Sequence, residues 1–338
     1  MSEAIFPLLG TAMVVLLVLP CCALLVKGCL MLAERAAVGM LHKLTLRYLL
    51  LTGSSIIPLA WLVSAGLHQA ESGRSALACL LDHDATEACL ESGYFALALG
   101  VAILASSLRA LRHTKVPMET PDPEHEVHRR IDRLINDHPT LASLKHRIAI
   151  SYEPGFALGT TGLLRPRVVV GAHFSQLLSD EMLESALAHE LEHVRARDPL
   201  RYWVLQFALA INPLGRRFLE PHSARWLAAR EAHCDREAVI HGAAPLSLAN
   251  AIVRAARPGA HVAVALGARD TTALKFRVEM LLAFAERSPT PCCARVSSTF
   301  SVALVLLLLT LILPHQTTTG PLDALHTGAE HALTYFSR

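Results

Sequence analysis

The stretch ALAHELEHVRARD, residues 186–198, sets His189, Glu190 and His193 in the spacing H-E-x-x-H. On a helix, residues four apart share a face, so both imidazoles can reach one ion. Glu190 follows the first of them, where its carboxylate can act as a base without filling a coordination position. Two fixed ligands, an open position and a nearby base are what a hydrolytic zinc site requires. The neighbouring sequence favours a helix. Ser179 suits an N-cap, Asp180 and Glu181 put negative charge in the first turn, and Arg195 and Arg197 put positive charge in the last. Leu183, Leu187, Leu191 and Val194 supply apolar contacts. Asp198-Pro199 then stops the helix, because the residue before proline avoids the helical region. The competing reading is a surface helix in a histidine-rich chain; a third ligand downstream weighs against it.

Metzincins continue H-E-x-x-H with x-x-G-x-x-H, and here those positions are Ala196 and Pro199, which excludes that class. The next source of a ligand is WLAAREAHCDREAVI, residues 226–240. Read as a helix, it places Ala224, Leu227, Ala228, Glu231, Asp235, Ala238 and Val239 on one stripe. Two carboxylates thus stand where the pattern demands apolar side chains, and buried charge requires a cationic partner. A zinc ion with its histidines is one such partner, with Glu231 as third ligand. Asp235 would then accept a hydrogen bond from a ligand histidine and fix its tautomer. A salt bridge to Arg195, Arg197 or Arg230 is the alternative. His233 lies off the stripe, and Cys234 at its border reads as a small buried residue.

HELEHVRARD followed by EAHCDREAV resembles the gluzincin membrane peptidases, with H-E-x-x-H and a later E-x-x-x-D. The pattern is most similar to the BlaR/MecR-type integral-membrane metallopeptidases, and second to the HtpX-type membrane proteases. The resemblance covers about residues 121–257 and the layout of apolar segments. It implies a zinc endopeptidase, one Zn2+ per chain, in a bacterial cytoplasmic (inner) membrane. It also implies regulated proteolysis: a membrane signal partner activates cleavage of a cytoplasmic transcriptional repressor or of the chain itself.

The chain is 52% apolar and 18% charged, and its mean hydropathy is +0.39. That balance points to membrane spans and a lipid bilayer as partner. A net charge of +2 leaves no basic footprint, so no nucleic-acid partner is expected. The expected architecture is a membrane α-helical protein with four transmembrane helices. An α+β zincin-like metallopeptidase domain lies between the third and fourth. Residues 1–116 hold three spans at about 5–26, 49–67 and 94–108, with an outside loop over 68–93. Residues 117–295 form the cytoplasmic peptidase domain, 296–314 the fourth span, and 315–338 a short outside tail. Glu3 before the first run and Lys27 after it put the N-terminus outside. Arg35, Lys43, Arg47, Arg109, Arg112 and Lys115 mark the inner side. Cys79 and Cys89 fall in the outside loop, where an oxidising compartment permits a disulfide. BlaR/MecR-type sensors carry a penicillin-binding domain after the last span. Residues 315–338 are too few for one, so a β-lactam input is not expected.

Between these segments, 124–138 reads as an amphipathic helix carrying Val127, Ile131, Leu134 and Ile135. Residues 147–152, 156–164 and 167–171 read as strands, the last two as a hairpin or neighbours. Residues 245–256 and 271–287 are helix-like. By the resemblance, Val168, Val169, Val170 and Gly171 form the edge strand that pairs with substrate backbone. Ordinary sheet core is the other reading of the same run. A further oxyanion donor would come from Arg230, His233 or Arg236. Two other functions fit less of the pattern. One is HtpX-like quality control of membrane proteins; the other is a non-catalytic zinc-containing transducer or scaffold, which would have no need of Glu190.

Overall fold

The computed structural model describes residues 14–35, 44–72, 93–112, 126–153, 156–256 and 271–286. A short π-helical turn, Val14–Val18, leads into α1 (Leu19–Arg35), followed by α2 (Leu44–Ser72) and α3 (Gly93–Arg112). Next come α4 (Glu126–Asp137) and three short strands, β1 (Ile148–Ser151), β2 (Leu158–Thr161) and β3 (Arg167–Gly171). After a single turn at Ala172–Gln176, five helices follow: α5 (Asp180–Ala196), α6 (Asp198–Ile211), α7 (Gly215–Ile240), α8 (Pro245–Ala255) and α9 (Thr271–Glu286).

The apolar stripe of α4 does what its spacing dictates. Val127, Ile131, Leu134 and Ile135 are buried in one cluster with Leu183, Leu187, Leu191 and Val194 of α5. Ile150, Leu158, Val168 and Val170 of the sheet close the same cluster, which therefore lies directly behind the H-E-x-x-H helix. The strand order is β1-β3-β2. β1 runs parallel to β3 in the register Ile148↔Val168, and β2 runs antiparallel to it with Thr160 opposite Val168. Gly171 ends β3 where no side chain fits: a Cβ there would lie 2.0 Å from the Phe156 carbonyl oxygen.

This order corrects one expectation. Val168, Val169, Val170 and Gly171 belong to the central strand, hydrogen-bonded on both sides, so their backbone is not available to a substrate strand. The alternative reading as sheet core is the one found, and the run of three valines, all fully buried, is its signature. The edges among the described residues are β1 and β2.

The expectation of four membrane spans is also corrected. No helix among the described residues is long and apolar enough to cross a membrane, which overturns the integral-membrane placement and the sidedness drawn from it. The reason lies in how the apolar residues are distributed. A span needs about 20 consecutive apolar residues. α1 has 17 residues and includes Lys27 and Glu34. α2 is longer, but Arg47, Thr52, Ser54, Ser55 and Pro58 interrupt it. α3 ends in Arg109 and Arg112. Their buried residues instead pack on the helices around the site. Ala23 and Leu30 of α1 and Leu51 of α2 share a core with Leu205, Leu209, Leu219 and Trp226. Ser55 donates to the Ala208 carbonyl at 2.7 Å, and the Asn212 amide to the Leu19 carbonyl at 2.7 Å. The expected fourth span, the tail, and Cys79 and Cys89 lie outside the described residues.

Candidate active site

Helix α5 begins as its sequence prescribes: the Ser179 hydroxyl accepts from the Met182 amide at 3.3 Å, with Asp180 and Glu181 in the first turn. It ends through Arg197, which adopts the left-handed conformation (φ 54°, ψ 44°). That one residue breaks the helix, and Asp198-Pro199 opens α6. The break leaves the Asp198 carboxylate against α5. There its Oδ2 lies 2.6 Å from His193 Nδ1, and it is fully buried.

Helix α7 crosses α5 and delivers Glu231 and Asp235. His189 Nε2 lies 3.5 Å from Glu231 Oε2, and His193 Nε2 lies 3.5 Å from Glu231 Oε1. The two Nε2 atoms are 3.2 Å apart. On the far side of each ring stands a carboxylate: Asp235 Oδ1 at 2.8 Å from His189 Nδ1, and Asp198 from His193. A carboxylate can only accept, so each Nδ1 is the atom turned to its carboxylate, and both Nε2 atoms face inward, toward each other and toward an anion. Positive charge is called for among these three groups, as protons on the rings or as a metal in their place, and His189, His193 and Glu231 all lie within reach of a single ion. Glu190 adds to the same point. Its Oε2 accepts from Thr160 Oγ1 at 2.7 Å, while its Oε1 is buried without a hydrogen-bond partner. The donor set of two imidazoles and one carboxylate beside a free carboxylate oxygen fits zinc.

The electrostatics follow from burial and pairing. Burial opposes the charge on His189, yet Asp235 and Glu231 outweigh it and leave the pKa raised. Burial likewise opposes charge on His193, and Cys234, Glu231 and Asp198 together hold its pKa well above the ordinary value. Burial would push Glu231 up, but His193, His189 and Arg277 keep it below the usual carboxylate range. Asp235 is held far below that range by Arg277 and His189, again against burial. The set is thus charged and paired, with anions behind the histidines and an anion between them.

His189, Glu190, His193, Glu231 and Asp235, predicted from two separate stretches, are brought together. Three functional neighbours were not predicted. Asp198 was read only as a helix stop; its own sequence offers no second signal, because its role depends on the turn at Arg197. Thr160 on β2 reaches Glu190 only through the packing of the sheet on α5. Arg277 of α9 carried a readable signal: Leu274, Arg277, Leu281 and Phe284 form a helical stripe, and a lone cation on an apolar stripe implies a buried anion. The proposed oxyanion donors fare differently. Arg230 Nε is committed to Asp198 at 2.7 Å, His233 stands 3.8 Å from Glu237, and Arg236 3.9 Å from the same residue. Cys234 is buried, with its sulfur 3.6 Å from His193 Nδ1, on the side away from the Nε2 cluster.

No curated protein and no solved structure matches the chain. The sequence profile described as BlaR1 peptidase M56 does match it, over residues 71–281, more than half of the chain. That span contains α5, α7 and α9 as far as Leu281, and with them every residue of the cluster just described. The chain belongs to the BlaR1-type M56 peptidase family.

Proposed function

We propose that this metallopeptidase is a zinc endopeptidase, with His189, His193 and Glu231 as the ligands and Glu190 as the general base. The observation that carries the reading is the convergence of two inward-facing Nε2 atoms and a buried carboxylate beside Glu190, whose Oε1 has no partner. When bound, zinc supplies Lewis acidity, lowering the pKa of a water and polarising the scissile carbonyl.

The chain's own residues do the rest. Asp235 and Asp198 stand at the Nδ1 side of the histidines, which leaves both Nε2 atoms to a metal once it displaces their protons. Thr160 anchors one oxygen of Glu190 and leaves the other to take a proton from water and return it to the leaving amine. Thr160 also ties the base to β2, an edge strand among the described residues. A peptide pairing with the free side of β2 would run past Glu190, and backbone pairing of that kind accepts many sequences. The substrate class is therefore an extended protein segment. A regulatory protein, such as a transcriptional repressor, or a loop of the chain itself is the proposed target; family membership supports this.

The test is zinc content beside peptidase activity on an unfolded protein substrate. About one zinc per chain is expected, lost in Glu231→Ala and kept in Glu190→Gln. The Gln variant should lose activity by at least about 10²-fold. Full activity in it would remove Glu190 as the base, and no zinc in a folded wild type would remove the metal reading.

A further inference from the structure

Arg277 is a charged group of the cluster that the proposed chemistry does not use. Its Nε and Nη2 hold Asp235 at 2.6 and 2.8 Å, a two-pronged contact. Its Nη1 lies 3.1 Å from Glu231 Oε2. One guanidinium therefore holds the carboxylate that backs His189 by two hydrogen bonds and lies at ion-pair distance from the proposed third ligand. The planar fork is needed for this: an ammonium is a point charge and cannot hold two carboxylates in fixed orientation. The side chain is 2% exposed, so these contacts are made away from water.

The helix that presents Arg277 is held through one face. Arg277 and Leu281 are the buried residues of α9. Leu281 seats the helix against Leu248 and Ile252 of α8 and Ala238 of α7, while Phe276 and Leu282 are exposed. A helix seated by Leu281, with Leu274 and Phe284 half-buried beside it, thus controls two carboxylates at the centre of the site.

We propose that Arg277 is a positioning residue of the metal centre, and that the docking of α9 sets metal affinity through it. The inference rests on the zinc reading above. It acts through orientation: with Arg277 in place, Glu231 presents one oxygen to each histidine, and Asp235 stays 2.8 Å from His189 Nδ1. With α9 displaced, two buried anions lose their cation and turn toward other partners, and the ligand set loses its preformed geometry. The contacts of a ligand's neighbours are worth about 10–100-fold in metal affinity.

The experiment is zinc affinity of the full chain by chelator competition, in wild type, Arg277→Lys and Leu281→Ala, with hydrogen exchange of α9 amides measured alongside. Arg277→Lys keeps the charge and loses the fork, so an affinity about 10–100-fold weaker is expected in a folded protein. Leu281→Ala removes no charge; it should speed α9 exchange and weaken zinc binding in the same direction, which a merely local ion pair would not do. It also serves if the Lys variant does not fold. Wild-type zinc affinity in a folded Arg277→Lys protein, or in a Leu281→Ala protein whose α9 exchanges faster, would overturn this inference alone. Failure of the wild type to bind zinc would overturn the functional reading and this inference with it.

Discussion

At the scale of single residues, the site is a set of charges that make sense only in combination. Asp198 illustrates this. It is buried at the centre of three contacts: His193 Nδ1 at 2.6 Å, Arg230 Nε at 2.7 Å and Arg201 Nη1 at 3.5 Å. Burial pushes its pKa up, but His193 and Arg230 outweigh burial and keep it ionised. Asp198→Asn retains the shape and can still accept a hydrogen bond, but it removes the charge opposite the imidazole and leaves Arg230 without its anion. Zinc affinity is expected to fall by about 10–100-fold. Stability should also fall, by up to about 3–5 kcal/mol, because a buried guanidinium loses its partner. Chelator competition and urea unfolding measure the two separately, and an unchanged zinc affinity would show that Asp198 serves the fold alone. His189, Glu190 and His193 were legible at this scale because helix geometry links neighbours in sequence. Asp198 and Thr160 were not, because each reaches the cluster from another element; the stripe around Arg277 implied a buried anion but not which one.

At the scale of elements, the decisive feature is the join between α5 and α6. Arg197 takes a left-handed conformation that glycine adopts freely and β-branched residues resist. Arg197→Val should cost about 1–2 kcal/mol in urea unfolding, while Arg197→Gly should be close to neutral. Equal stability of the two would mean that the turn is not strained there. A second join is ionic. Glu34 of α1 meets Arg47 of α2 at 2.8 Å, His222 of α7 at 3.2 Å, and Arg225 of α7. Burial tends to raise its pKa, but the contacts with Arg225 and His222 leave it lowered. A lowered folded-state value means that the stabilisation is complete above the unfolded value, about pH 4.3, and is lost as pH falls through the folded one. Glu34 is partly exposed, so Glu34→Gln should cost no more than about 1 kcal/mol at neutral pH. The gap between variant and wild type should close as pH falls below about 4. A gap that persists in acid would exclude the charge as its origin.

At the scale of the whole molecule, one apolar core lies behind α5 and a second joins α1 and α2 to α6 and α7, so the metal helices are clamped from both sides. Metal bound between α5 and α7 should stabilise this assembly by mass action, about 2.7 kcal/mol at a free concentration 100 times Kd. Chelation should lower Tm and abolish peptidase activity, and added zinc should restore both. A Tm indifferent to zinc would place the ion elsewhere. The sequence by itself determined the metal helix, its capping residue Ser179, the second helix with Glu231 and Asp235, the amphipathic α4, and the family. In each case the information lies in side chains a few residues apart on one helix. Hydropathy did not determine what its helices pack against, since apolar residues that could face lipid serve equally to pack α1 and α2 on α6 and α7. Only the tertiary structure decided that the valine run is a central strand, because strand order depends on pairing between distant segments. It alone set Asp198 behind His193 and Arg277 across Asp235 and Glu231, because buried charges choose partners by proximity in space, which sequence separations of 5, 42 and 46 residues leave undetermined.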